Sequence, residues 1–221
     1  TLELMLFSLL IAILISIPSG VLSATHQHSK TDYACMTFAL SGLSTPEFVL
    51  GVLLILIFSV KLNILPSIGF VDFSKDPLLN IAYLILPAFT LGMRNAAILT
   101  RLLRSSMLEV IRQDFIKTAR SKGIPERLVI YKHALKNSLI PFVTVVGLQI
   151  GYLMGGSIII EKLFVIPGIG LLGITAIINR DYPVIMGFIL ILSTTYLMVN
   201  LIVDLVYALL DPRIHYGKKL A

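Results

Sequence analysis

Few residues in this chain have types and spacing that bear on chemistry. Arg94 stands inside a long apolar run. His26 and His28 form an H-x-H pair, with Cys35 downstream. Asp204 sits near the end of another apolar run, and Glu161, Arg180 and Asp181 bracket a short glycine-bearing segment, 164–179. Catalysis needs a nucleophile or acid–base pair with an orienting group, and the sequence offers no such constellation. It also lacks the G-x-x-x-x-G-K-[ST] loop that cradles ATP phosphates. Two histidines and one cysteine on a polar loop do not make the defined ligand set of a transition-metal site, so no bound metal is expected. One cysteine excludes an intrachain disulfide. The chemistry on offer is therefore non-covalent. A charge such as Arg94 costs at least about 2.5 kcal/mol at mid-bilayer, so it must face protein or a wet cavity. It reads either as a pathway residue that meets a carboxylate or anionic chelate, or as a side chain snorkelling to the interface.

The elements that must carry these residues follow from composition. Of 221 residues, 57% are hydrophobic and 14% charged, against about 45–50% and about 25% in soluble domains. That excludes a soluble globular domain, and also disorder, which requires low hydrophobicity. Five apolar runs, at about 4–22, 33–60, 80–103, 138–160 and 184–210, are each long enough to cross a ~30 Å hydrocarbon core. They are continuous, whereas barrel strands alternate. The expected fold is an all-α membrane protein with five transmembrane helices in one domain, 1–221. The second run is interrupted at Ser44-Thr45-Pro46-Glu47, so it is kinked or its first part lies shallow. The segment 164–179 is too short to span and reads as a shallow extracytoplasmic hairpin or gate. Gly147, Gly151 and Gly155 recur every four residues, which puts a smooth groove on one helix face. It reads as a packing seam that bounds a pathway or meets a partner.

A net charge of +6 suggests nucleic acid in a soluble protein. In a membrane protein its location matters more. Lys30, nine basic residues between spans three and four, and Arg213, Lys218 and Lys219 make thirteen on one side; Lys61, Lys75, Lys162 and Arg180 make four on the other. The positive-inside rule places 104–137 and the C-terminus in the cytoplasm. No basic stretch precedes the first apolar run, so it is not a signal peptide. The expectation is that a further span precedes Thr1.

The basic loop is patterned. Met107, Ile111 and Phe115 fall four apart, predicting one amphipathic helix. Gly123 closes it as a left-handed C′ glycine, and Ile124-Pro125-Glu126 restarts a helix with proline in its first turn.

Ala119-Arg-Ser-Lys-Gly123, followed by His133-Ala-Leu-Lys-Asn-Ser-Leu-Ile-Pro141, resembles the cytoplasmic signature loop of ABC importer permeases, most closely the dipeptide/oligopeptide/nickel branch. Arg104-Ser-Ser-Met-Leu-Glu109, Gln113-Asp114-Phe115, Gly147-Leu-Gln-Ile-Gly151, Pro167-Gly-Ile-Gly170, Arg180-Asp-Tyr-Pro183 and Leu210-Asp-Pro-Arg213 extend the likeness over essentially the whole chain. Lys117-Thr118-Ala119 stands where Glu-Ala-Ala is usual, and the Gly123–Pro141 gap is longer than in importers generally. The resemblance implies a non-enzymatic subunit in the bacterial inner membrane, lining a path for peptides or nickel chelates by alternating access. It implies a second, homologous permease, an extracytoplasmic binding protein, and two cytoplasmic ATPases that carry the ATP and Mg; nucleic acid has no part. The implied ATPase-coupling element is Asp114, Thr118, Ala119, Arg120, Ser121, Lys122, Gly123, Ile124 and Pro125. Arg94, Gly147, Gly151 and Gly155 are the candidate packing and pathway residues. Two other classes compete. An ion-coupled secondary transporter calls for inverted repeats and paired intramembrane ions, and no internal repeat is seen. A non-transporting scaffold gives no reason for the Gly123 loop.

Overall fold

A computed structural model describes residues 1–156 and 158–210. The described residues are helical throughout their regular structure. Helix α1 (Leu2–Thr25) is followed by α2 (Lys30–Ser44), α3 (Glu47–Leu54) with a π-helical continuation (Ile55–Lys61), and the long α4 (Pro77–Ile111). A short α5 (Asp114–Ser121) precedes α6 (Glu126–Leu128), whose π-helical extension (Val129–Leu135) leads into α7 (Lys136–Gly156). Then come α8 (Ile158–Phe164), α9 (Ile169–Asn179) and α10 (Tyr182–Leu210). Four stretches are single helices long and apolar enough to cross a membrane: α1, α4, the run Glu126–Gly155, and α10. Two others are bent pairs, α2 with α3 at 103° and α8 with α9 at 94°.

The packing that organises this bundle was written into α1 as its small residues. Leu4, Ser8, Ala12, Ser16, Gly20 and Ala24 recur every four residues and are all buried. They form the face laid against α4. A Cβ added at Gly92 would sit 2.7 Å from the Ser8 carbonyl oxygen, and one at Gly20 would sit 2.9 Å from Leu103 Cβ. Ser8 opposes Gly92 and Gly20 opposes Leu103, so the two helices run parallel. Lipid supplies no hydrophobic force between helices, so close backbone approach through small residues does the work instead. One apolar cluster joins Ala12, Val21, Leu99, Leu103 and Met107 at one end of the bundle; another joins Leu4, Leu84, Leu91, Leu153 and Phe164 at the other.

Several sequence expectations are corrected in detail. The amphipathic helix over Met107, Ile111 and Phe115 is two helices. Met107 and Ile111 belong to α4, and the chain breaks where Gln113 turns extended (φ −72°, ψ 155°) before α5 begins. Neither glycine nor proline marks that break. It is set by tertiary packing, since it swings Ile116 and Ala119 back onto Met107, Val129 and Ala134. The third span therefore continues as helix beyond 103 to Ile111. Its successor is already helical from Glu126, twelve residues before the expected 138. The second span is a break between two helices: Thr45 is extended (φ −86°, ψ 123°), as the residue before a proline prefers. The segment 164–179 proves to be the turn and second arm of the α8–α9 bend. The Leu210–Arg213 motif beyond Leu210, and Arg213, Lys218 and Lys219, lie outside the described residues, as does the side chain of Asp204.

Candidate functional site

The intramembrane charge has partners. Arg94 projects from α4 toward Glu47, the first residue of α3, with Nη1 3.1 Å from Glu47 Oε1. Pro46 forces the chain to restart there, and an acidic residue in a helix's first turn is favoured by the helix dipole. From α7, Tyr152 places its ring under the guanidinium, 4.8 Å from the centroid, and its hydroxyl accepts from Arg94 Nη1. The arginine side chain is 39% exposed and Glu47 17%. The three line a cleft of about 560 Å³, walled also by Leu43, Phe48 and Ile174. Arg94 therefore lies in a cleft at a break in the neighbouring span, paired with Glu47 and stacked on Tyr152. Sequence reading found Arg94 and missed Glu47 as its partner. The signal was present: an acid at the break of one apolar run, opposite a base in the next.

If the cleft carries substrate, Arg94→Gln leaves Glu47 an unpartnered carboxylate there and slows uptake of a carboxylate-bearing substrate. Glu47→Gln leaves the cation in place and is the milder change. The expected order of uptake is wild type, then Glu47→Gln, then Arg94→Gln, at equal protein in the membrane. Equal uptake by all three would remove the cleft from the path.

Of the glycine triplet, two members pack within this chain. A Cβ at Gly147 would overlap Val203, and one at Gly151 would lie 2.6 Å from the Tyr196 ring, so both hold α7 against α10. Gly155 has nothing within 4 Å of that position and lines the Arg94 cleft instead.

The loop after α4 is a compact helix–turn–helix unit. In α5, Ile116 and Ala119 are buried, while Asp114, Phe115, Thr118, Arg120 and Ser121 face outward with Lys122 beyond them. Lys117 lies 2.8 Å from Asp114 and holds that carboxyl below the usual carboxylate range. The helix ends in a Schellman turn: Gly123 N–H donates to Arg120 O (2.9 Å) and Ile124 N–H to Ala119 O (3.3 Å). Gly123 has φ +72°, the left-handed conformation this turn requires. Ile124 packs down on the core cluster. Pro125 is the cap residue of α6, extended at φ −54°, ψ 136°. Across the turn Arg120 grips Glu126 with two hydrogen bonds, Nε to Oε2 at 3.1 Å and Nη2 to Oε1 at 2.6 Å. So Asp114, Thr118, Arg120, Ser121, Lys122, Gly123 and Pro125 form one exposed surface, with Ala119 and Ile124 as its inward anchors. Phe115, which the four-residue spacing placed on the apolar face, is 40% exposed among these polar groups.

Two further polar centres escaped sequence reading because their parts are far apart in the chain. Near the start of α2, the Asp32 carboxylate is almost fully buried. It accepts both Nε and Nη2 of Arg104 at 2.8 Å, the His28 backbone N–H at 3.0 Å, and the Ser23 hydroxyl. It thus ties α1, α2 and α4 together. The H-x-H pair contributes to this only through the His28 backbone. Among the described residues no group of three or more histidine, cysteine or acidic side chains could hold a metal. At the opposite end, the fully buried Glu161 accepts from Leu171 N–H at 2.9 Å, capping the first turn of α9, and from Thr1 Oγ1 at 2.6 Å. A Cβ at Gly168 would overlap that carboxylate, and one at Gly170 would come 2.8 Å from it. The Pro167-Gly-Ile-Gly170 motif is the space Glu161 occupies.

A helical membrane bundle with a charged cleft at a broken span and a rigid helix–glycine–proline unit on its basic side defines a membrane transport component. The family model described as "Binding-protein-dependent transport system inner membrane component" matches residues 16–216, and the chain belongs to that family. The oligopeptide transport system permease protein AppB of Bacillus subtilis is 44% identical over 218 residues, covering 98% of this chain and 69% of that protein. The dipeptide transport system permease protein DppB of Alkalihalophilus pseudofirmus is 44% identical over 237 residues, covering 98% and 71%. The glutathione transport system permease protein GsiC of Escherichia coli K12 is 42% identical over 216 residues, covering 98% and 68%. Among solved structures, an inward-facing form of the MetNI methionine ABC transporter superposes with a TM-score of 0.77 over 95% of this chain and 92% of that one. At 19% identity that likeness concerns the fold. The chain is an ABC importer permease.

Proposed function

We propose that this chain forms one side of the translocation path of an ATP-driven peptide importer, and that α5 with Gly123 and Pro125 is the surface by which it is driven. The relatives described above are named for oligopeptides, dipeptides and glutathione. Peptide is accordingly the proposed cargo, and the nickel chelate of the sequence reading is not carried further. The observation that carries the reading is α5 itself. It is pinned inward by two small apolar contacts, it is continuous through one turn with each of two spans, and it presents polar side chains outward. Two cytoplasmic ATPase subunits, which bring ATP and Mg, dock there; a second permease completes the path, and an extracytoplasmic binding protein delivers the peptide. Docking is proposed for Asp114, Thr118, Arg120, Ser121, Lys122 and Pro125. The turn angle is set by Gly123, and the path includes Arg94 and Gly155.

In this arrangement residues 104–137 are cytoplasmic and 61–79 are outside, with 1–221 a single permease domain. Single cysteines at Ser105 and Ser74, with Cys35 replaced, should then react with an impermeant thiol reagent from opposite faces. Reaction from one face overturns the topology. The transport reading is tested by ATP-dependent uptake of a labelled dipeptide into proteoliposomes holding the whole complex. Uptake that proceeds without ATP, or no uptake with it, overturns that reading.

A further inference from the structure

One face of α4 is open from the middle of the membrane to its basic end. The Arg94 cleft reaches Leu43. A second cleft of about 440 Å³ begins at Leu43 and runs past Ile98, Arg101 and Leu102 to Ser105. A third, also about 440 Å³, takes up Arg104 and Ser105 and continues past Leu108 and Glu109 to Arg112. Each shares lining residues with the next, so they form one groove. The spacing explains why. Seven residues fall short of two helical turns by only about 20°, which aligns Arg94, Arg101 and Leu108, and Arg112 falls close to the same line. With a rise of 1.5 Å per residue, Arg101 lies about 10 Å along the helix from Arg94, and Arg112 about 16 Å further.

The charges along this groove are not equivalent. Arg94 is matched by Glu47 and Arg104 by Asp32. Glu109 and Arg112 both line the third stretch, without an ion pair between them among the described residues. Arg101 is exposed, and among the described residues no acidic group or hydrogen-bond acceptor engages its side chain. Among the described residues it is a cation without an acidic partner, placed between the Arg94 cleft and the basic end of α4. Met36, Leu43, Ile98 and Leu102 wall it on the apolar side, and Arg104, already paired with Asp32, and Ser105 complete the lining.

We infer that this groove is the exit route for a carboxylate-bearing peptide, and that Arg101 is the relay that receives the carboxylate when Arg94 lets it go and pairs again with Glu47. The inference rests on the peptide-importer reading and adds a charge preference to it. A cation reached through water acts through a high effective dielectric, so its reversal shifts rates by around tenfold rather than thousandfold.

The test uses the complete transporter with its binding protein, in phosphatidylcholine proteoliposomes. Maximal uptake is measured for two tripeptides of matched size, one carrying an extra acidic side chain and one an extra basic side chain. Arg101→Glu should lower the acidic-to-basic uptake ratio about tenfold, while Arg101→Lys keeps the wild-type ratio. Basal ATPase activity should stay unchanged in both. Should Arg101→Glu fail to assemble, Arg101→Gln reads the same ratio with a smaller shift. An unchanged ratio, with both peptides slowed alike or neither slowed, overturns the relay. An equal loss for both peptides that anionic lipid modulates assigns Arg101 to a lipid headgroup instead. No uptake of either peptide by the wild-type complex overturns the importer reading, and the relay with it.

Discussion

Asp32→Asn should lower the thermal stability of the purified complex more than substitution of any exposed charge. The change keeps the side chain's shape but removes the negative charge that Arg104 faces on both Nε and Nη2. Breaking a fully buried pair costs about 3–5 kcal/mol because the surviving charge is stranded. An exposed pair is worth at most about 1 kcal/mol. Asp32 is almost inaccessible, but the Arg104 side chain is 23% exposed, so about 2–3 kcal/mol is expected, between those bounds. For a chain of this length that corresponds to a fall in Tm of roughly 4–12 °C. Arg104→Lys should fall between, since an ammonium keeps the charge and loses the two-pronged geometry. The comparison is Lys117→Gln, which removes one partner of the exposed Asp114 pair and should lower Tm by less than about 4 °C, the range of exposed pairs. A Tm for Asp32→Asn that matches Lys117→Gln would show that the junction of α1, α2 and α4 does not depend on this carboxylate.

Gly123→Val should leave the protein in the membrane and remove most of its transport. A Cβ at this position meets nothing within 4 Å, so side-chain crowding is not the issue. The cost is in the backbone. The left-handed conformation adds about 1–2 kcal/mol for a residue with a Cβ, and a β-branched residue fits it worse still. The relief is to unwind the Schellman turn, which frees Ile124 from the core and changes the angle between α5 and α6. Each 1.36 kcal/mol lost from a rate-limiting step is tenfold, so uptake should fall about tenfold or more. Substitutions should rank by their tolerance of positive φ: Gly, Asn, Ala, Val. The measurement is substrate-stimulated ATPase activity together with uptake, at matched expression. Wild-type uptake in Gly123→Val would separate the turn from the coupling role proposed for it.

What could be read from sequence, and what could not, divides along chain separation. Gly123 was legible because its requirement is local: a helix before, a proline two residues after, and one residue type that turns between them. The spans were legible because lipid demands long apolar runs, whatever they pack against. Arg94 was legible as a misplaced charge. Its partner Glu47 was not, because 47 residues separate them and nothing in a one-dimensional reading brings the two together. Asp32 and Arg104, 72 apart, were hidden for the same reason. The division of the amphipathic helix at Arg112–Gln113 was hidden differently. Apolar residues at four-residue spacing describe a face, and both halves kept that face while the chain changed direction between them. Helix α1 held a signal that went unread. Its serines and its one glycine, Gly20, interrupted hydrophobicity, and their spacing, rather than their polarity, carried the information.

The close approach at Gly92 has a mechanical meaning. There a Cβ on α4 would lie 2.7 Å from the Ser8 carbonyl oxygen of α1, and a helix that tilts against its neighbour turns about such a close contact. From Gly92 to Arg112 is twenty residues, about 30 Å; from Gly92 to Arg94 is two, about 3 Å. The two arms differ tenfold. A swing of several ångströms at the basic end is thereby geared down to a few tenths of an ångström at the Arg94–Glu47 contact, close to the tolerance of a hydrogen bond. Large strokes at one end become fine adjustments at the other.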